Sequence, residues 1–187
     1  MRFRTLFLIA GISLSFLLAA PVLFAPAHAQ SDESDMACRA TPAGKALDFW
    51  IGSWEVTDGA NTRYGSNHIE WDASGCAIHE FWEGEDGNRG TSLFYFAINE
   101  DTWHQVWVTS DTSRTGGLKH KDMVEISENG AVQFLGQMTT NEDHDYLDRT
   151  TLTPNADGTV RQLIEYSMDD GATWRAGFDA VYSRTED

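Results

Sequence analysis

Short runs of residues rich in Val, Ile, Thr and aromatic side chains recur from about residue 53 onward, and clusters of Gly, Asn and Asp separate them. Such residues favour β-strands, and dipeptides such as Asp86-Gly87 and Asn129-Gly130 tolerate the positive φ angles of tight turns. The nearly even spacing of the runs favours antiparallel pairing of successive strands. This part of the chain has no amphipathic stretch of helix length, so the pattern predicts an all-β domain.

About ten strands in one domain must close or fold over to bury one face of the sheet. We therefore predict a single antiparallel up-and-down barrel of about ten strands, and a two-sheet sandwich is the alternative. Thr41 and Pro42 are typical of the start of a helix, which we expect to be short and to end near Gly52. The predicted strands cover residues 53–57, 67–71, 76–83, 91–98, 103–109, 117–127, 132–139, 146–152, 159–167 and 174–183.

The first residues of the chain have the features of a signal peptide. Two arginines precede an apolar stretch that two prolines interrupt, and Ala27-His28-Ala29 has the small-x-small pattern that signal peptidases cleave. A membrane anchor is the alternative, because the apolar stretch approaches the length of a bilayer span. We expect residues 1–29 to be a cleaved signal peptide, residues 30–40 a flexible arm and residues 41–187 the barrel domain. The predicted location is the periplasm or the cell exterior.

The chain has a formal net charge of −16 at pH 7, and removal of residues 1–29 would make it −18. This charge repels phosphate backbones and anionic lipids, so we expect no nucleic-acid partner and no membrane association after cleavage. Cys38 and Cys76 are the only two cysteines. In an oxidising compartment such a pair favours a disulfide, whereas a nucleophilic thiolate would need a histidine partner that no spacing here indicates.

Several motifs, spread over nearly the whole chain after residue 30, carry a resemblance. They are Asp48-Phe49-Trp50-Ile51-Gly52-Ser53-Trp54-Glu55-Val56, Gly75-Cys76-Ala77-Ile78-His79-Glu80-Phe81-Trp82, Gly90-Thr91-Ser92, Trp103-His104-Gln105-Val106-Trp107, Arg161-Gln162 and Ser167-Met168-Asp169-Asp170-Gly171-Ala172-Thr173-Trp174. Together they resemble a family of uncharacterised bacterial exported proteins. Leu47 replaces the first Phe of the family motif, and Thr109-Ser110 replaces an acidic turn. The resemblance implies a lipocalin-like (calycin) barrel and no established activity.

Alternation along the strands places polar side chains on the same faces as tryptophans. Glu80 shares a face with Trp82, and Gln105 shares one with Trp103 and Trp107. If these faces line the barrel, they would form a small-molecule cavity; a core filled by its own side chains is the alternative. The candidate ligand-binding residues are Glu80, Trp82, Ser92, Trp103, Gln105, Trp107 and Arg149.

The sequence supports a metal or cofactor site less well than it supports a small-molecule cavity. His68 and Glu70 share one face of a strand, but no third ligand is evident, and residues 142–145 lack the spacing of a calcium loop. Nothing selects one of the histidines as a haem ligand, so we expect no metal and no resident cofactor. The Ser167–Trp174 segment is similar to the Asp-box hairpin motif, which we interpret as structural.

These observations favour an exported protein that binds a small, partly apolar molecule, and they favour binding over catalysis. Two alternatives stay open. The first is a barrel isomerase or hydrolase with Glu80 as the acid/base, which requires a carboxyl group whose pKa is raised by apolar surroundings. The second is a structural or partner-binding barrel with a filled core. The residues do not identify the ligand or the oligomeric state.

Overall fold

Ten antiparallel strands form a closed barrel in this structure, a computed structural model that describes residues 37–113 and 115–185. The strands are β1 (Gly52–Thr57), β2 (Arg63–Trp71), β3 (Ala77–Gly84), β4 (Arg89–Ala97), β5 (Thr102–Thr109), β6 (Leu118–Ile126), β7 (Val132–Thr139), β8 (Asp145–Pro154), β9 (Val160–Ser167) and β10 (Arg175–Arg184). Each strand pairs with its sequence neighbours, and β1 also pairs with β10. The predicted all-β up-and-down barrel is therefore confirmed.

The largest difference from the predicted strand ends is at β2, which begins at Arg63 rather than at residue 67. Gly65 interrupts the strand pattern in the sequence, because glycine weakens a strand interior. In the structure Gly65 lies opposite Gly84, and an added Cβ would lie 2.2 Å from the Glu83 carbonyl oxygen. The glycine therefore permits a close approach of two backbones, which the sequence pattern did not reveal.

The predicted short N-terminal helix is present as two separate 3-10 turns, at Ala43–Lys45 and Asp48–Trp50, and a further 3-10 turn precedes it at Ala37–Arg39. The Thr41 hydroxyl oxygen accepts a hydrogen bond from the backbone N–H of Gly44 at 3.1 Å, as expected for a residue that starts a helix. An added Cβ on Gly44 would lie 1.8 Å from the Cys38 carbonyl oxygen. The absence of a side chain at Gly44 thus allows the turns to fold tightly on one another.

These turns cover one end of the barrel, where β1 begins and β10 ends, and we call it the closed end. Trp50 and Trp54 are fully buried there, with ring centroids 5.9 Å apart. Trp54 Nε1–H donates to the Trp50 carbonyl oxygen at 3.1 Å, and Trp103 Nε1–H donates to the Ala43 carbonyl oxygen at 2.8 Å. The indole N–H groups therefore fasten the turns to the strands while the rings fill this end.

The predicted disulfide between Cys38 and Cys76 is present, with its Cα atoms 5.5 Å apart. It joins the first 3-10 turn to the turn between β2 and β3 at the closed end. Cys38 and Arg39 are buried, so the described part of the predicted arm, residues 37–40, packs on the barrel. The predicted signal peptide lies outside the described residues. Within them, no helix is long and apolar enough to cross a membrane.

Replacing both cysteines by serine is expected to lower the free energy of unfolding by about 3–4 kcal/mol, because the bond closes a loop of 38 residues. Urea titration of the oxidised protein and of the Cys38→Ser/Cys76→Ser variant measures this difference. The wild-type protein under reducing conditions is the matched control and should resemble the variant. Equal midpoints for the variant and the oxidised protein would contradict the prediction.

Candidate functional site

A cavity of about 800 Å³ occupies the end of the barrel opposite the closed end, which we call the open end. Its rim includes Arg63, Tyr64 and Asn88, beside the β1–β2 and β3–β4 turns. The interior side chains that line it are Glu80, Trp82, Gln105, Trp107, Lys119, Lys121, Thr150, Gln162, Ile164, Phe178 and Tyr182. The volume is in the range of small-molecule sites.

Aromatic rings form the wall of the cavity near its rim. The ring of Trp82 meets Phe178 edge-on, with centroids 6.3 Å apart, and Tyr64 lies 5.5 Å from Phe178. Trp107 lies over Gly90, where an added Cβ would come within 2.2 Å of the indole ring. Gly90 therefore provides the space that Trp107 occupies, and the rings leave an apolar surface for stacking.

Glu80 is a buried carboxyl group on the cavity lining. Its Oε1 accepts a hydrogen bond from Asn67 Nδ2–H at 2.7 Å, and its side chain is only 4% exposed. Burial raises the pKa of Glu80 above its ordinary value, although the hydrogen bonds and the charge of Lys121 oppose this shift. Glu80 therefore holds its proton to a higher pH than an exposed glutamate does.

Two lysines on β6 meet one aspartate on β8. Lys119 Nζ donates to Asp148 Oδ2 at 2.7 Å, and Lys121 Nζ donates to Asp148 Oδ1 and to the Thr150 hydroxyl oxygen. Gly136 on β7 pairs with Asp148, so no side chain blocks the lysines from reaching across β7. The result is a group of two ammonium ions and one carboxylate in which Lys121 and Asp148 are buried and Lys119 is half-buried.

Burial and charge have opposite effects on the pKa values of this group, and a different one prevails at each residue. Burial lowers the pKa of Lys121 to about 8, against the opposing attraction of Asp148. Burial alone would raise the pKa of Asp148, but the charges of Lys121 and Lys119 outweigh it and hold that pKa below its ordinary value. Asp148 is thus ionised at neutral pH, and Lys121 loses its proton near pH 8.

Further polar groups lie deeper on the lining. Gln105 Nε2–H donates to the Ser92 hydroxyl oxygen at 3.0 Å, and the Tyr182 hydroxyl donates to Gln162 Oε1 at 2.5 Å. Gln105 Oε1 is buried and has no hydrogen-bond partner among the residues that the structure describes. A buried polar atom without a partner is costly, so it marks a position where a ligand or a water would be stabilised.

The structure brings four of the seven candidate residues to the cavity lining, namely Glu80, Trp82, Gln105 and Trp107. Ser92 is buried behind the lining, where it hydrogen-bonds the two lining residues Gln105 and Glu80. The structure does not bring the other two candidates to the cavity: Trp103 packs at the closed end against Phe96 and Trp71, and Arg149 lies on the outer surface.

Arg149 points outward because its neighbours Asp148 and Thr150 point inward, and side chains alternate along a strand. Its guanidinium donates to Glu165 Oε2 at 2.8 Å and lies 3.8 Å from the ring centroid of Trp174. These contacts hold the outer surface together between β8, β9 and the β9–β10 turn. Arg149 therefore has a structural environment and no access to the cavity.

Sequence analysis missed Lys119, Lys121 and Asp148. The chain has only three lysines, and two of them are separated by a single residue on one strand, which places them on one face. That spacing could have identified the two lysines as candidate residues of one site. The partner Asp148 could not be found in this way, because its contact depends on the register across three strands.

The candidate metal-binding pair and the Asp-box-like segment make only local contacts in the structure. His68 Nδ1 is 2.9 Å from the Ser53 hydroxyl oxygen, and its Nε2 is 3.4 Å from Glu70 Oε2 on the exposed surface. Among residues 37–113 and 115–185, no group of three His, Cys, Asp or Glu side chains is arranged to hold a metal ion. Asp169 Oδ1 accepts from the backbone N–H of Thr173 at 2.8 Å, which shapes the β9–β10 turn.

No family model and no curated protein matches this chain. Its architecture, a closed barrel of ten antiparallel strands, is consistent with a lipocalin-like fold. Function must therefore be inferred from the geometry of the cavity.

Asp148→Asn is expected to lower the free energy of unfolding by about 3–5 kcal/mol, because it leaves two close lysine charges without their carboxylate. Asp179→Asn is the control: it breaks the exposed Arg161–Asp179 pair, whose side chains are each 48% exposed, and should cost less than about 1 kcal/mol. Urea unfolding of both variants measures the difference. Equal losses would contradict the role of Asp148.

Lys121 should titrate with a pKa of about 8, and Asp148→Asn should lower this pKa further, because Asp148 contributes the largest charge effect that raises it. Carbon-13 NMR of labelled lysine side chains can follow three resonances, and Lys121→Met assigns the relevant one. Since the folded pKa lies below the ordinary 10.5, the unfolded chain binds more protons between these values. The Lys121 contribution to the free energy of unfolding therefore rises with pH over that interval. An unshifted Lys121 resonance would contradict the assignment.

Proposed function

We propose that this barrel binds a small, partly apolar molecule in the cavity at its open end. The observation that carries the proposal is the combination of an aromatic wall with a buried polar floor in one cavity of about 800 Å³. Ligand sites typically combine such apolar walls with a few fixed polar groups. Trp82 and Trp107 would supply stacking surface, and Glu80 and Gln105 would orient the ligand.

We also propose that the chain is exported, that residues 1–29 are removed as a signal peptide, and that it belongs to the family of bacterial exported proteins its motifs resemble. The Cys38–Cys76 disulfide supports export, because disulfides persist in oxidising compartments. The high negative charge is compatible with a protein that stays soluble after release.

Glu80 favours a second candidate function, that of an enzyme with Glu80 as general acid/base. Its raised pKa and its place on the cavity lining are the properties that such a residue needs. In that case Glu80→Gln would abolish turnover and leave binding unchanged. A carrier would show binding without turnover, and Glu80→Gln would alter affinity alone.

Native mass spectrometry of the protein purified from its own source tests the binding proposal. We expect a mass above that of the bare chain, with the excess lost on denaturation, because the ligand is held by non-covalent contacts. The released molecule is then identified from its mass. A bare chain from the native source, together with no uptake of added apolar probes, would favour a structural barrel without a ligand.

Trp82→Ala and Trp107→Ala should each weaken binding of the fluorescent probe 1-anilinonaphthalene-8-sulfonate by about tenfold or more, since each removes a stacking surface. Fluorescence titration measures the dissociation constants. Trp174→Ala is the matched control, because Trp174 lies outside the barrel against Arg149. If Trp174→Ala weakens binding as much as the cavity variants do, the probe binds elsewhere.

A further inference from the structure

The lysines of this chain are concentrated in the cavity. The protein has a formal net charge of −16 and only three lysines, of which Lys45 is exposed at the closed end. The other two, Lys119 and Lys121, both line the cavity. Lysines usually lie on the protein surface, where water hydrates the ammonium group, and they are rarely buried without a specific partner. Their placement inside an acidic protein therefore indicates a negatively charged occupant.

The charge of the group formed by Lys119, Lys121 and Asp148 is not balanced within the group. Two ammonium ions share one carboxylate, which leaves one positive charge in excess while both lysines are protonated. Glu80 is the other carboxyl group whose negative charge attracts Lys121. Because its pKa is raised, Glu80 keeps its proton to a higher pH, and the protonated form has no charge to balance the lysines. Lys121 is buried and Lys119 is half-buried, so water solvates the excess charge only in part and an anionic ligand would be stabilised here.

The two lysines also have unused hydrogen-bond donors. A protonated lysine has three N–H donors. Lys121 uses two of them, on Asp148 and Thr150, and Lys119 uses one, on Asp148. Three donors are therefore left on two side chains that line the cavity. This number suits a carboxylate, which accepts hydrogen bonds on both of its oxygens.

Gln105 lies beside this anion site, because it pairs with Lys121 in the register of β5 and β6. Its Nε2–H donates to the Ser92 hydroxyl oxygen, and the Ser92 hydroxyl in turn bonds to Glu80. This arrangement leaves Gln105 Oε1 as a buried acceptor without a partner among the described residues. A hydrogen-bond donor elsewhere on the ligand would satisfy it, whereas the anion itself is left to the lysines.

The surroundings of the lysines define the rest of the ligand. Lys119 pairs with Trp107 in the register of β5 and β6, so the aromatic wall begins beside the ammonium groups and continues towards the rim. Glu85, Asp86 and Asp111 lie on that rim. These acidic residues would repel a ligand that carries several negative charges. An apolar body has no charge, so the rim would not repel it.

From these observations we infer that the ligand is an amphiphilic monocarboxylate, whose carboxylate binds Lys119 and Lys121 while its apolar body stacks on Trp107 and Trp82. This inference rests on the proposed function, since it names the class of molecule that the cavity binds. It goes beyond that proposal by assigning the anion site to two lysines on β6.

Isothermal titration calorimetry with matched probes tests the inference. Two series are used, one on a naphthalene body and one on a decyl chain, and each contains a carboxylate, the corresponding alcohol and the corresponding ammonium compound. We expect a carboxylate to bind at least about tenfold more tightly than its alcohol in one or both series, and the ammonium compound to bind most weakly.

Variants locate the site. Lys119→Met should weaken carboxylate binding by about 10- to 100-fold and change alcohol binding little, because it removes charge-assisted hydrogen bonds only. Lys119→Met keeps the Lys121–Asp148 pair, so it should fold even if Lys121→Met does not. Lys45→Met is the control and should bind all probes as the wild type does.

The outcomes separate the two proposals. Equal binding of carboxylate and alcohol, or an unchanged preference in Lys119→Met, would overturn the anion site and leave small-molecule binding intact. Binding of none of the six probes would count against both proposals. A carboxylate preference that Lys119→Met removes and Lys45→Met retains would establish the anion site.

Discussion

Pairing of β1 with β10 is the constraint on which the rest of the structure depends. Trp54 lies opposite Arg184 and Thr57 opposite Val181, so the first and last strands complete a closed sheet. Closure removes the unpaired strand edges that an open sheet would expose. It also gives the sheet a single interior, so alternate side chains of every strand are directed into one enclosed space. The buried tryptophans and the two lysines of β6 are therefore parts of the same interior.

The two ends of this interior differ because the strands carry different side chains there. At the closed end, Trp50, Trp54 and Trp103 fill the space, and the indole N–H groups of Trp54 and Trp103 donate to backbone carbonyls of the N-terminal turns. Towards the open end Gly65 lies against the ring of Trp82 and Gly90 against the ring of Trp107, and the absence of a Cβ at these positions makes room for the rings. A barrel of this size can be filled or hollow; here one half is filled and the other is hollow.

Sequence reasoning predicted the strands and their closure because both depend on local signals, namely side-chain alternation and the chemistry of tight turns. It found Glu80 and Trp107 for the same reason, since each follows the alternation of its own strand. It assigned Arg149 to the cavity, although the apolar residues Tyr146 and Leu152 indicate which side of β8 faces the interior. Arg149 lies on the opposite side of the strand. The contact between Lys121 and Asp148 was out of reach, because it spans β7 and requires the register of three strands.

The closing pair of strands also bears on the order in which the chain is assembled. β1 is made early, and its second partner, β10, is made last. Cys38 and Cys76 both precede β4, so their bond requires only the first part of the chain. During folding the disulfide can therefore form before β10 is in place, and it then holds the N-terminal turns beside β2 and β3 while β1 still has an unpaired edge. A bond that stabilises the finished barrel by about 3–4 kcal/mol thus also constrains the chain before the barrel closes.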